Sequence, residues 1–376
     1  MAATIAVRHV DAETWRVEYR FAQAVSAIKL PAVADYRQQA WRVRTPGMKL
    51  QPGAEFDVIS AHGKPFKSAS IDITSYDGRP PKAYAPFNRF SDGGTLLFLG
   101  HLQGDVLRAK REHEMRADIR LAGLSQENVI APPQNRQHPG GERGYAYFGP
   151  AQAVRAGAVK VLVDPKTPEW ARETVLDTGA KVAQYYEKAY QRPLKEELFI
   201  TVSIGSDEKP GLSMNGGAVL GQLAYHFSGA QLVGDHPKKR EMLARLVAHE
   251  MAHIWQLNTA RGGVGEKDPW IHEGGAEAMA LDALLQTGAA SAESVNAYRA
   301  AQTAACEKLG KSVESFNGIY ACGLVRFDQL GVAIVPLWRG LMEATEAKGA
   351  VYSEQMVQDV AASQPATAAA APSGGD

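Results

Sequence analysis

The chain has 376 residues, with 41 Lys plus Arg balanced by 41 Asp plus Glu and with 45% hydrophobic residues. That is the profile of a soluble globular protein long enough for two or three domains with buried cores. Zero formal charge without a basic tract argues against nucleic acid as a partner, and no apolar run approaches the roughly 20 residues of a membrane span.

Residues 1–165 read as a β-rich domain. Val17-Glu18-Tyr19-Arg20-Phe21 alternates as a half-buried strand does, whereas Thr95–Leu99 and Val159–Val163 are short apolar runs suited to buried strands. Breakers separate them at Pro52-Gly53, Asp77-Gly78, Pro80-Pro81, Asp92-Gly93-Gly94 and Pro139-Gly140-Gly141. The pattern predicts an antiparallel sheet domain, a sandwich or saddle. Residues Arg136 to Tyr147 read as an exposed polar loop, and the stretch from Tyr84 to Gly94 as a loop at the domain junction. Met1-Ala2-Ala3-Thr4-Ile5 leads almost directly into strand-like sequence, so no signal peptide is expected in this chain. A cytoplasmic protein and an exported domain lacking its leader both fit.

The texture changes at Asp164-Pro165-Lys166-Thr167-Pro168, where Thr167 is placed to cap a helix reaching about Gln191. A strand follows at Leu198–Ile204 and an extended segment at Gly217–Phe227. After Asp235 the chain turns helical. One helix is predicted from Lys239 to about Asn258, stopped by Gly262-Gly263, and another begins at Pro269, capped by Asp268. Further helices are expected over 291–309, 319–331 and 335–348. The organisation expected is thus 1–165 β-rich, 166–288 catalytic, 289–360 a helical part completing the site, and 361–376 a disordered low-complexity tail.

The chemistry concentrates in His249-Glu250-Met251-Ala252-His253. Positions i and i+4 of a helix share one face, so both imidazoles can bind one zinc ion. Glu250 projects about 100° round the helix toward the open side of such an ion. A second helix carries Trp270-Ile271-His272-Glu273-Gly274-Gly275-Ala276-Glu277. The connection after His253 is long enough to turn back and bring a carboxylate to the metal. Glu277 lies one turn beyond Glu273 and is a candidate partner for the free N–H of His249, with a surface carboxylate as the alternative.

This combination resembles the gluzincin zinc metallopeptidases, in particular the aminopeptidase N and leukotriene A4 hydrolase group and the glycyl aminopeptidase family. The resemblance runs from 168 to about 345. It implies a thermolysin-like, mainly helical zinc peptidase domain after the β domain, an α+β protein overall. It also implies one Zn2+ per chain held by His249, His253 and Glu273, with Glu250 as general base and peptides or proteins as substrates. Those peptidases carry a tyrosine in a Tyr-x-Lys-Gly element whose hydroxyl donates to the oxyanion; Tyr320-Ala321-Cys322-Gly323 matches, with Cys in place of Lys. Their Gly-x-Met-Glu-Asn strand, whose Glu binds the substrate amine, corresponds to Gly211-Leu212-Ser213-Met214-Asn215-Gly216-Gly217, which lacks that Glu. Met214, Asn215 and Gly216 are therefore candidate substrate-strand residues, and peptides with blocked N-termini are expected to be cleaved at least as well as free ones.

Exported bacterial relatives in that group point to a periplasmic or secreted location. Cys306 and Cys322, the two cysteines, fall on one predicted helix and at the start of the next, where either a disulfide or two buried thiols can be accommodated. A zinc hydrolase acting on an epoxide or small amide, and an inactive metal-binding scaffold, are the alternatives.

Overall fold

The structure, a computed structural model, describes residues 1–78, 80, 83–133, 144–194, 197–219, 221–258, 268–349 and 351–365. The alternation read in the sequence is realised in Thr14–Val25, which buries Trp15, Val17, Tyr19 and Phe21. This strand sits at the middle of a five-stranded sheet, between Ala2–Asp11 and Phe66–Thr74. Three of its four pairings are antiparallel, but Ala2–Asp11 pairs in parallel with Arg116–Ala122, Ala2 opposite Arg116. A second sheet of five is antiparallel throughout, with Ala27–Pro31 and Phe56–Ser60 in its interior. Ile5, Trp15 and Ile71 from the first and Ile28, Leu30 and Ile59 from the second share one hydrophobic core.

A third sheet, of four strands, joins this region to the rest of the chain. Its strand Tyr145–Gly149 is buried along its whole length, which corrects the expectation of an exposed loop reaching Tyr147. Tyr-Ala-Tyr-Phe suits a strand covered on both faces, and the polar stretch before it misled the reading; residues 134–143 lie outside the described residues. Gln222 makes the tie, its side chain accepting from the Tyr145 N–H at 2.6 Å and donating to the Tyr145 carbonyl at 3.0 Å. Asp164 accepts from the Ser91 N–H at 2.8 Å, and Phe90, Leu96 and Tyr147 pack with Leu162, Phe199 and Val219. The 84–94 stretch does lie at the junction, though Phe87–Arg89 is a strand within it.

The last sheet has the order Val154–Ala156, Val159–Val163, Leu198–Ile204, Gln222–Ser228, Ser213–Val219. Its first two strands lie before 165, so sheet connectivity divides ahead of Val154, earlier than the change in sequence texture suggested. That texture follows the first long helix, whereas the sheet begins one hairpin sooner. The helix spans Glu169–Tyr190 with Pro168 rather than Thr167 at its N-cap, and it covers the sheet with Trp170, Val175, Val182 and Tyr186. The α-helices that follow it among the described residues are Pro237–Asn258, Pro269–Thr287, Ala292–Lys308, Phe316–Gln329, Ile334–Lys348 and Glu354–Ala362. The last of these runs beyond 360, where the tail was expected to begin; 366–376, like Gly262-Gly263, lie outside the described residues. The protein is mixed α/β, with largely antiparallel N-terminal sheets followed by a helical C-terminal region.

Candidate metal centre

The helix Pro237–Asn258 packs Leu243, Val247, Met251 and Ile254 into the core, which directs His249, Glu250 and His253 to a neighbouring, also buried, face. The helix Pro269–Thr287 starts with Pro269 at N1, as read from the sequence, with Asp268 at the N-cap position but without a side-chain cap bond, and it ends at Gly288 in the left-handed region. It buries twelve of its nineteen residues, among them Gly274, Gly275 and Ala276, and so runs through the middle of the helical layer. Glu273 lies on the part of it that faces the histidines.

His249 Nε2 is 3.1 Å from His253 Nε2 and 3.2 Å from Glu273 Oε2, and His253 Nε2 is 3.4 Å from the same oxygen. Zinc bonds of about 2.0–2.2 Å in tetrahedral geometry set neighbouring donors about 3.3 Å apart, so these three atoms already have the spacing of three corners of a zinc coordination sphere. Among the described residues, His249, His253 and Glu273 form the one cluster of this kind. Its donor set, two imidazoles and one carboxylate, leaves a position free, as hydrolytic zinc sites do.

The surrounding charges are arranged to hold a cation. Burial lowers the pKa of His249, but the Glu273 and Glu277 carboxylates beside it and the charge of Glu250 outweigh it and push the pKa up to about 10. The converse holds for Glu273: burial raises its pKa and the two histidines pull it far below the ordinary carboxylate range. Glu277 is buried, with Oε1 3.1 Å from His249 Nδ1 and 3.0 Å from Nη1 of Arg245. Burial opposes its ionisation, yet His249 and Arg245 carry its pKa down to about 2. Arg245 in turn lies over the Tyr298 ring, 4.3 Å from its centroid.

His253 is oriented differently. Its Nδ1 lies 2.8 Å from Oε1 of Gln256, whose amide nitrogen donates to the His272 carbonyl at 3.1 Å. That second bond fixes the amide, so Nδ1 of His253 carries the hydrogen and Nε2 is left as a lone pair. His272 stacks on His253 at 3.9 Å, and burial keeps it neutral. Gln256, Arg245 and His272 were not singled out from sequence. Gln256 carries a local signal, three residues after His253 on the same helix, whereas Arg245 becomes visible only once Glu277 is placed. Glu277→Gln removes the charge facing His249 and is expected to weaken zinc binding by about 10–100-fold, measured by competition with a chromophoric chelator. Unchanged affinity would mean that Arg245, not His249, is the functional partner of this carboxylate.

Tyr320 reaches the same place from the helix Phe316–Gln329. Its ring stacks on His249 at 5.6 Å, with the Glu273 carboxylate near enough to act on its hydroxyl. Burial first, and then the charge of Glu273, push its pKa well above that of a free tyrosine, so it remains a protonated donor. Two features set the position of this helix. Gly323 packs directly on Gly274: a methyl group on Gly274 would collide with the Gly323 backbone, and one on Gly323 would stand 2.9 Å from both Gly274 Cα and the Trp270 carbonyl. The glycines of the two sequence motifs are therefore one contact. In addition, Cys322 is bonded to Cys306 on the helix Ala292–Lys308, and both are buried. Of the two arrangements open to the cysteines, the structure has the disulfide. Closing a chain segment of this length contributes about 3 kcal/mol.

Glu250 is buried, next to the edge strand Ser213–Val219. A methyl group on Gly216 would lie 3.3 Å from its Cγ. Of the other candidates, Met214 is half-buried and Asn215 is exposed, its amide donating to Ser213 Oγ at 3.0 Å. Asp207 and Glu208, on the connection before this strand, are both exposed.

No family model matches this chain, and no curated protein matches it. Among solved structures it is similar to a crystal structure of an aminopeptidase N family protein from Idiomarina loihiensis, with a TM-score of 0.68 at 11% identity, over 97% of this chain and 74% of that one. The chain thus has the fold of an aminopeptidase N family protein.

Proposed function

We propose that the chain is a zinc-dependent peptidase. The observation that carries this reading is the set of three donor atoms of His249, His253 and Glu273, spaced 3.1–3.4 Å apart beside Glu250 and Tyr320. Zinc held by these three residues would supply a Lewis acid for the scissile carbonyl and lower the pKa of water toward neutrality. Glu250, buried beside the edge strand, would act as general base toward the attacking water and hand the proton to the leaving amine. Tyr320 donates its hydroxyl hydrogen to the carbonyl oxygen as negative charge develops there. Glu277 and Gln256 hold the two imidazoles with their Nε2 atoms toward Glu273.

A peptide is favoured over an epoxide or small amide because Ser213–Val219 is a sheet edge next to Glu250, and its backbone groups suit an extended chain. The similarity to an aminopeptidase N family protein supports the same class of substrate. The disulfide fits an oxidising compartment, hence a periplasmic or secreted protein. No helix among the described residues is long and apolar enough to cross a membrane.

The test is direct. Purified protein is expected to contain about one zinc per chain and to cleave members of a defined peptide mixture, with loss of cleavage on chelation and recovery with zinc. Glu273→Ala is expected to lose most of its zinc under the same purification. N-acetylated members are expected to be cleaved at least as fast as free ones. Chelator-resistant cleavage, or zinc-loaded protein that leaves every peptide intact, would overturn the proposal.

A further inference from the structure

One residue of the N-terminal region rests on the strand that borders the site. Tyr84 is 40% exposed, and its ring packs 4.8 Å from Phe98. Its hydroxyl donates to the Ala218 carbonyl at 3.0 Å. A methyl group on Gly217 would touch its ring at 3.4 Å.

The side of the strand it occupies follows from the sheet. The N–H and C=O of one residue in an antiparallel strand point to the same side, and the side alternates along the chain. In Gln222–Ser228 the carbonyls of Tyr225 and Phe227 face Leu198–Ile204 and the residue after it, accepting from Ser203 Oγ at 3.1 Å and from the Gly205 N–H at 2.7 Å. Residues 222, 224, 226 and 228 therefore face Ser213–Val219, where their register partners are Val219, Gly217, Asn215 and Ser213. Met214, Gly216 and Ala218 are left pointing outward, and among the described residues no strand pairs with that side. Tyr84 fills the outward position at Ala218. Gly216, beside Glu250, and Met214 remain.

We propose that Tyr84 is a specificity-determining stop, which ends the edge available to an extended peptide one rung beyond Glu250. Rungs repeat about every 7 Å along a strand, so a substrate lying on this edge pairs with Met214 and Gly216 and meets Tyr84 two residues further on. The ring and its hydrogen bond thus limit the length of substrate on one side of the scissile bond, while the other side is not limited by this residue. This inference rests on the peptidase reading.

The experiment takes one cleaved bond and a nested set of peptides lengthened one residue at a time on each side. Wild type is expected to show kcat/KM falling beyond a fixed length on one side only. Tyr84→Ala is expected to raise kcat/KM for the longer members by about tenfold or more and to leave the short ones within about threefold, which also shows that the variant is folded. Tyr84→Phe, which keeps the ring, is expected to retain most of the limit. A Tyr84→Ala profile that matches wild type, or a wild type with no limit on either side, would overturn the stop while the peptidase reading stands. Zinc-loaded wild type that cleaves no peptide would overturn the peptidase reading, and this inference with it.

Discussion

Replacing Glu250 by Gln is expected to reduce kcat by about 10²–10⁴-fold and to leave zinc content at the wild-type level. The substitution keeps the size of the side chain and takes away only the basic oxygen. The three atoms spaced for the metal belong to His249, His253 and Glu273, so nothing in the metal's grip changes. Because Gln fits beside Gly216 as Glu does, the melting temperature should stay within about 2 °C of wild type. The measurement is kcat on a cleaved peptide with zinc quantified in the same preparation. Full turnover would remove Glu250 from the role of base, and loss of zinc would show that it helps hold the ion.

Tyr320→Phe is expected to lower kcat by about a hundredfold with little change in KM. One hydrogen-bond donor aimed at a developing oxyanion is worth about 3 kcal/mol, and it acts in the transition state rather than on bound substrate. The ring that stacks on His249 is retained, as is the Gly323–Gly274 contact, so zinc content and melting temperature should be unaffected. A tyrosine whose work is packing or holding Glu273 would give another pattern: lower stability or metal occupancy with kcat intact. Measuring kcat, KM, zinc and melting temperature on one variant separates the two.

The two motif helices and the strands 14–25 and 159–163 were legible because each satisfies its periodicity and its end signals within a single window of sequence. The spatial meeting of His249, His253 and Glu273 followed from helical spacing and a resemblance, and their 3.1–3.4 Å geometry adds what spacing cannot supply. What escaped depends on partners far away in sequence. Tyr145–Gly149 is a strand because Thr95–Phe98 and Asn128–Ile130 bracket it, and its polar flank outweighed that in a local reading. Tyr84 gains meaning only when a strand 134 residues later presents a carbonyl to it. Arg245 likewise finds its partner in Glu277, and the hairpin 154–163 joins the sheet of Leu198–Ile204 through its pairing with that strand.

The contact of Gly274 with Gly323 ties the tolerance of this enzyme-like site to two residues that carry no functional group. A side chain at either position can be accommodated only if the helices separate, and one helix carries Glu273 while the other carries Tyr320. Substitutions at 274 and 323 are therefore coupled to each other and to the distance between Glu273 and Tyr320, not to fold stability alone. Sequence drift has room on the exposed face of Ala292–Lys308 between the two helices, where most side chains meet solvent. At the two glycines it has almost none: any side chain added there moves the helix that carries Glu273 away from the helix that carries Tyr320.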